Sequence, residues 1–419
     1  LDAGIRAEDP QQFAGVFAEF EQLEQGQEWT KYRAVLVPKI WRATRTTRSR
    51  IFVDKSVDEL IDAVMAADPP LLNEGEYKKL LEEPESAATS SGDGSDSDPA
   101  RMDDDPSINR ELYPQRQYTC QYEESDWDFL ARWLEYEGVF FYFEHDHDAG
   151  EERMIFGDQS SSYGEESIGS FQYRPTSAGG RGDEDKSSKE EITSWRCSAT
   201  PALAEVTIND QNYREEQPGV SKTAALKNAS ENEEEGLGRL IVFGNKARNE
   251  GQANRLTAVR LEESRCRSEV FHGEGSCRSF RPGAVFELQG LGDSSEEGDF
   301  VLVSVQHEAK QTISLDAGTV TGFKYQNAFT AIKKDQNWRP SRTTKWPTVH
   351  GVISAYVYST SEDDDDLTGA PVDAFGRYLL RMPFEQTWAS KPADSAVATT
   401  RYVRMAQPFA GANAAGMHF

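Results

Sequence analysis

The sequence predicts a mainly β protein with a few helices, of the α+β class, and three features carry that expectation. Period-two alternation recurs along much of the chain. One sharply bounded strand–helix–strand segment stands near residue 130. Short strands separated by turns follow a proline-studded connector at Trp338–Pro347. At 419 residues, and roughly 150 residues per domain, the chain has room for about three domains, each able to bury a core.

Residues 13–56 alternate in the manner of an antiparallel sheet, with Tyr32, Ala34 and Leu36 on one face. A helix is predicted next. Ser56 with Glu59 three residues on makes a capping box, Leu60, Ile61 and Val64 make one apolar face, and Pro69-Pro70 stops the helix or lies just beyond its end. Tyr118, Cys120 and Tyr122 then alternate as a strand. Ser125, with Asp128 at the third position, caps a helix whose Trp127, Leu130, Ala131 and Leu134 share a face, and Gly138 ends it with a left-handed residue. Aromatic residues on both faces predict a helix covered on both sides. Val139–Phe143 reads as a buried strand, with His145 and His147 at its exit.

Beyond residue 190 strands dominate again. A helix is expected over Lys246–Glu263, from Ala247, Ala253, Leu256, Val259 and Arg260. Pro282-Gly283 marks a turn before a strand over Ala284–Leu288, and Phe300–His307 is a second strand. Short strands within Val349–Tyr358, Gly376–Pro383 and Ser395–Ala406 suit a small closed barrel of the OB type. Residues 85–107 hold seven acidic residues, one Arg and no large aliphatic or aromatic residue, and are expected to be a solvated loop. Residues 179–189, 231–235 and 361–366 read the same way.

Composition narrows the function. A formal net charge of -27 opposes binding to phosphate backbones and to anionic membranes. No apolar run approaches the roughly 18 residues of a membrane-spanning helix. The chain opens at Leu1, so its natural N-terminus is expected upstream. Four cysteines are too few for a disulfide scaffold. Cys266 and Cys277 could face each other across a hairpin, and buried thiols are the favoured reading.

The chain has no Gly-x-Ser-x-Gly elbow, phosphate-cradling Gly-Lys-Ser/Thr loop or His-Glu-x-x-His pair. His145-x-His147 lacks a third ligand other than carboxylates, Cys266 and Cys277 around His272 lack paired knuckles, and Glu135, Glu137 and Glu144 read as a solvated rim. No catalytic, cofactor or metal residues are assigned. A non-enzymatic protein is expected.

The run Tyr118-Thr-Cys-Gln-Tyr-Glu-Glu-Ser-Asp-Trp-Asp-Phe-Leu-Ala-Arg-Trp-Leu-Glu-Tyr-Glu-Gly-Val-Phe-Phe-Tyr-Phe-Glu-His145 resembles the signature segment of VgrG, the type VI secretion spike protein. Arg50–Ser56, Phe300–His307, Phe375–Phe384 and Arg401–Gly411 resemble further segments of that family, in the same order. The resemblance implies two β-barrel tube domains of phage-hub type, an inserted strand–helix–strand domain and a C-terminal OB-fold. Residues 1–56 would then be the end of the first barrel, 57–165 the inserted domain, 166–345 the second barrel with connecting elements, and 346–419 an incomplete OB-fold.

It further implies a homotrimer that caps an Hcp-like inner tube on a baseplate, carries effector cargo and punctures target envelopes. A PAAR-type tip protein would dock through a needle beyond Phe419, and no nucleic acid is involved. Assembly would take place in the bacterial cytoplasm, followed by secretion or injection. A phage tail hub or an extracellular injection system is the nearest alternative. A scaffold fused to a hydrolytic effector, and a module binding a receptor or cargo through its acidic loops, are the others. Trp127, Phe129, Leu130, Trp133, Leu134 and Phe141, with Arg377 and Arg404, are expected in the core or in a subunit interface.

Overall fold

The computed structural model describes residues 13–26, 29–82, 113–146, 150–164, 167–175, 190–211, 220–225, 236–292, 297–314, 319–357, 372, 376–384 and 401–406. The acidic loops expected at 85–107, 179–189, 231–235 and 361–366 lie outside these, as does His147. The chain divides into two compact units. One comprises Leu1–Lys39, Leu72–Leu112 and Leu134–Thr343, the other Ile40–Leu71, Tyr113–Trp133 and Thr344–Phe419.

In chain order, β1 (Val16–Gln25) and β2 (Thr30–Val37) pair as an antiparallel ribbon. The alternation over 13–56 does not make one sheet. A 3-10 turn at Lys39–Thr44 interrupts it, and β3 (Thr47–Phe52) pairs instead with β5 (Thr119–Ser125) across the helix α1 (Val57–Met65) and the strand β4 (Tyr77–Leu80). The capping box of α1 forms as expected: Glu59 N–H donates to Ser56 Oγ at 3.2 Å and Ser56 N–H to Glu59 Oε2 at 2.8 Å. Val57, Leu60, Ile61, Val64 and Met65 are buried.

The helix α2 (Asp126–Glu137) begins where Asp128 N–H donates to Ser125 Oγ at 2.9 Å. It ends at Gly138, whose φ of +81° is the left-handed C-cap geometry. A Cβ on Gly138 would stand 2.5 Å from Val259 Cγ1, so close packing also requires glycine there. The strands β6 (Phe140–Asp146) and β7 (Glu151–Gly157) follow and form the sheet β4-β7-β6. In β6 the fully buried strand expected from sequence becomes an alternating one: Phe140 and Tyr142 are buried, whereas Phe141 between them is 39% exposed.

The centre of the larger unit is a closed six-stranded barrel. It is built from β8 (Ser167–Tyr173), β9 (Glu191–Ala199), β13 (Glu269–Gly275), β14 (Val285–Gln289), β15 (Gly298–Ser314) and β16 (Thr319–Lys333), in the order β13-β16-β15-β14-β8-β9. Its interior is aromatic, with Phe171, Phe271, Phe280, Phe286, Phe300 and Phe329 all buried. Gly273 leaves room for the Phe329 ring, which a Cβ would strike. The opposite faces of three barrel strands contribute Val285, Val301 and Ile332 to a second cluster with Phe140, Tyr142, Ile155 and Tyr163. Residues 285–286 and 300–302 are therefore apolar in succession, because both faces of those strands are covered.

Between β9 and β13 lie β10 (Glu205–Asp210), β11 (Val220–Ala225), β12 (Arg239–Phe243) and α3 (Glu250–Arg265). They form a three-stranded sheet, β11-β10-β12, with α3 packed on β10 and β11. This helix starts at Glu250, four residues later than the pattern suggested. Lys246 has a φ of +63°, and the Asn249 side chain caps Gln252 N–H at 2.9 Å. In the smaller unit β17 (Tyr356–Val357), β18 (Arg377–Arg381) and β19 (Arg401–Arg404) form an antiparallel sheet.

One buried acid in the larger unit has a pH consequence. Glu152 is 3% exposed; it accepts the Lys39 backbone N–H, while its Oε2 is buried without a hydrogen-bond partner. Burial pushes its carboxyl above the usual range, the Lys39 N–H and charge pull it down in part, and neighbouring Glu76 pushes it up again. A raised native pKa makes the ionised form a cost to the fold at neutral pH, absent below the unfolded value. Glu152→Gln is therefore expected to raise the thermal midpoint at about pH 7, and the gain is expected to vanish near pH 4. A lower midpoint for the variant at neutral pH would contradict this account.

Candidate functional site

The expected core-or-interface residues cluster on α2, and the structure surrounds that helix with closed ion networks. Asp126, at its N-terminus, is completely buried. Its Oδ1 accepts from Arg50 Nη2 at 3.0 Å and from Gln121 Nε2 at 2.9 Å, and its Oδ2 lies 2.8 Å from Arg48 Nη2 at an angle that makes an ion pair but no hydrogen bond. A carboxylate here also complements the helix dipole. Burial draws the Arg50 guanidinium down to about 10, against the opposing attraction of Asp126.

Two turns on, Arg132 is 2% exposed. Its Nε and Nη2 grip Glu124 in a forked pair at 2.8–3.2 Å, and Nη2 also donates to Cys120 O at 2.8 Å. Its guanidinium stands 4.4 Å from the Trp346 ring, 4.9 Å from Phe129 and 5.4 Å from Trp133. Trp133 meets Trp346 edge-on at 4.9 Å, and Phe52 stacks on Phe129 at 5.2 Å.

Phe129, Leu130, Trp133 and Leu134 are buried and Trp127 is half-buried. Phe141 stands on the exposed face of β6, 5.9 Å from Phe143. Arg377 lies 5.8 Å over the Tyr402 ring, and Arg404 is exposed opposite Arg377 in the β18–β19 register. Arg377 and Arg404 are thus neighbours in one sheet, away from the α2 group in sequence.

The last turn of α2 lies within the larger unit, where side chains of that same unit hold it. Arg260 Nη2 donates to Glu135 O at 2.9 Å and to Tyr136 O, Arg339 Nη1 donates to Gly138 O at 3.0 Å, and Arg255 pairs with Glu137. The bonds from Arg260 and Arg339 satisfy carbonyls that a helix C-terminus leaves open. No local motif announces them, although Arg260 falls on the buried side of the α3 period. Cys266 and Cys277 are free and buried, and burial pushes both thiols up, so neither is a ready nucleophile. Among the described residues no group of three His, Cys, Asp or Glu side chains converges on one point.

The exposed surface has the opposite character. Phe17, Phe20, Trp29, Tyr32 and Leu36 on the β1–β2 ribbon are 44–67% exposed. Phe20 stacks on Tyr32 at 5.3 Å, so the rings form a patch. On β12, Ile241 and Phe243 share the exposed face of the strand, at 66% and 77% exposed.

Around α2 the charges are paired and buried, whereas the β1–β2 ribbon exposes its rings. The phage tail baseplate hub (GPD) pattern matches residues 2–313, and the chain belongs to that family. The VgrG resemblance extends well past the α2 segment. The type VI secretion system spike protein VgrG1b of Pseudomonas aeruginosa is 20% identical over 96% of this chain and 47% of its own length. The actin cross-linking toxin VgrG1 of Vibrio cholerae is 24% identical over 96% of this chain and 32% of its own. The chain thus spans about half, or less, of the curated relatives it matches. Among solved structures, the E. coli c3393 protein, described as a component of the type VI secretion system, shares the fold with a TM-score of 0.57 at 18% identity, over 93% of this chain and 76% of its own.

Proposed function

We propose that this chain is the hub portion of a VgrG-type spike, three copies of which close around an axis to cap the inner tube of a contractile injection machine. The observation that carries this reading is the aromatic β1–β2 ribbon. Two strands with rings on the surface do not bury themselves, and an exposed apolar patch on a two-stranded edge calls for a partner. Cyclic closure satisfies such a patch with one repeated contact. In this reading the ribbon ends the first tube barrel, the six-stranded barrel is the second, and β17–β19 start an OB-fold. Contacts to an Hcp-like tube, to baseplate proteins, to a PAAR-type tip and to effector cargo follow from the spike role. So do assembly in the cytoplasm and later export.

The test is particle mass in solution. Mass photometry of the full chain is expected to show three copies, and Phe20→Ser with Tyr32→Ser is expected to shift the population toward single chains. A monodisperse single chain in the wild type at micromolar concentration would overturn the proposal.

A further inference from the structure

A cavity of about 320 Å³ in the larger unit has a lining unlike the rest of this acidic protein. Its charged walls are Arg260, Arg267, Arg342 and Glu263, its hydroxyls include Ser264 and Ser341, and Leu203 and Leu240 give it an apolar side. Three guanidinium groups against one carboxylate leave two positive charges in a chain of net charge -27. That carboxylate is already committed, because Glu263 pairs with Arg260 Nη1.

The other two arginines are positioned without an acid. Arg267 lies 4.4 Å over the Trp338 ring, with Nη1 donating to Glu263 O at 2.8 Å, and Arg342 Nη1 donates to the neutral Asn245 Oδ1 at 3.1 Å. The Arg260 side chain is 1% exposed, and its Nε is buried with no hydrogen-bond partner. Burial and the like charge of Arg342 both press its guanidinium toward losing its proton. Fixed like charges around a cavity, held by stacking and carbonyl bonds, are the arrangement that recognises an anion.

We infer that this cavity binds an oxyanion, a carboxylate or a phosphate, with Arg267 and Arg342 as its charged contacts, the buried Arg260 adding its charge behind them, and Leu203 and Leu240 against its apolar part. The volume suits a small molecule or one acidic side chain of a peptide. The inference stands whether or not the chain trimerises, since every lining residue belongs to one unit of one chain.

Calorimetric titration of the full chain at constant ionic strength uses two probes: inorganic phosphate, and a capped tripeptide of glutamate, leucine and glutamate. Saturable binding of phosphate alone assigns a free anion, and binding of the peptide alone assigns a protein-borne carboxylate. Binding of both supports the shared site. Arg342→Gln, at the exposed rim, is expected to weaken binding about ten-fold with an unchanged thermal midpoint. Arg33→Gln, on the β1–β2 ribbon, is the charge-matched control and is expected to bind as the wild type does. Should Arg267→Gln fail to fold, Arg342→Gln carries the comparison. The inference is overturned if the wild type binds neither probe at millimolar concentration, if Arg342→Gln binds as well as the wild type, or if Arg33→Gln weakens binding equally.

Discussion

Asp126→Ala is expected to destabilise the smaller unit by about 3–5 kcal/mol, the cost of removing one partner from a buried ion pair. The wild-type carboxylate is fully buried and meets Arg48, Arg50 and Gln121 at 2.8–3.0 Å. Its removal leaves two guanidinium groups facing each other with little water to solvate them, and the Coulomb term that opposed the desolvation of Arg50 disappears. Asp126→Asn keeps an acceptor for Arg50 and Gln121 while losing the charge, so its loss is expected to be smaller. Urea unfolding with hydrogen exchange read at β3 and β5 checks both. A loss below about 1 kcal/mol for the alanine variant would show that the network contributes no more than a surface pair.

Phe286→Ala is the matching experiment in the barrel, with an expected loss of about 3–5 kcal/mol. The Phe286 ring is 0% exposed and has Phe280 at 4.9 Å, Phe300 at 5.8 Å, Phe329 at 6.0 Å, Phe171 at 6.1 Å and Trp195 at 6.3 Å. Apart from Phe280, between β13 and β14, these rings stand on strands that close on themselves, so the cavity left by alanine cannot collapse without breaking a ladder. Phe286→Leu retains most of the volume and is expected to cost less than half as much. Hydrogen exchange distinguishes this variant from Asp126→Ala: protection falls in β14 and β15 here, and in β3 and β5 there. Equal losses in all four strands for either variant would mean that the two units unfold as one.

Several elements were legible because their signals are local. The Ser56–Glu59 box, the Ser125 cap and the Gly138 stop each depend on atoms within four residues, and the folded chain uses all three. Other expectations needed a partner strand that sequence does not name. The alternation over 13–56 says that these residues form strands, but not that β3 leaves β2 for β5, seventy residues away. Phe141 has the composition of a core residue, yet the pairing of β6 with β7 turns its ring outward. The start of α3 moved to Glu250 because the side chain of Asn249, and not the apolar period, ends the preceding loop.

The site follows the same division. The aromatic content of α2 was plain in the sequence, as was the absence of a familiar catalytic motif. The ion networks around it were hidden, since Arg48, Arg50 and Asp126 meet only when β3 pairs with β5, and Arg132 finds Trp346 from more than two hundred residues away. Arg260, Arg267 and Arg342 line one cavity for the same reason. Period, caps and glycines act through the backbone of neighbouring residues, so the sequence by itself determined the starts of α1 and α2, the end of α2 and the family. Strand partners, the exposed face of the ribbon and the buried pairs of Asp126 with Arg48 and Arg50 were decided by tertiary structure alone. Those outcomes depend on which distant surfaces exclude water together, a property of the closed fold that no single segment holds.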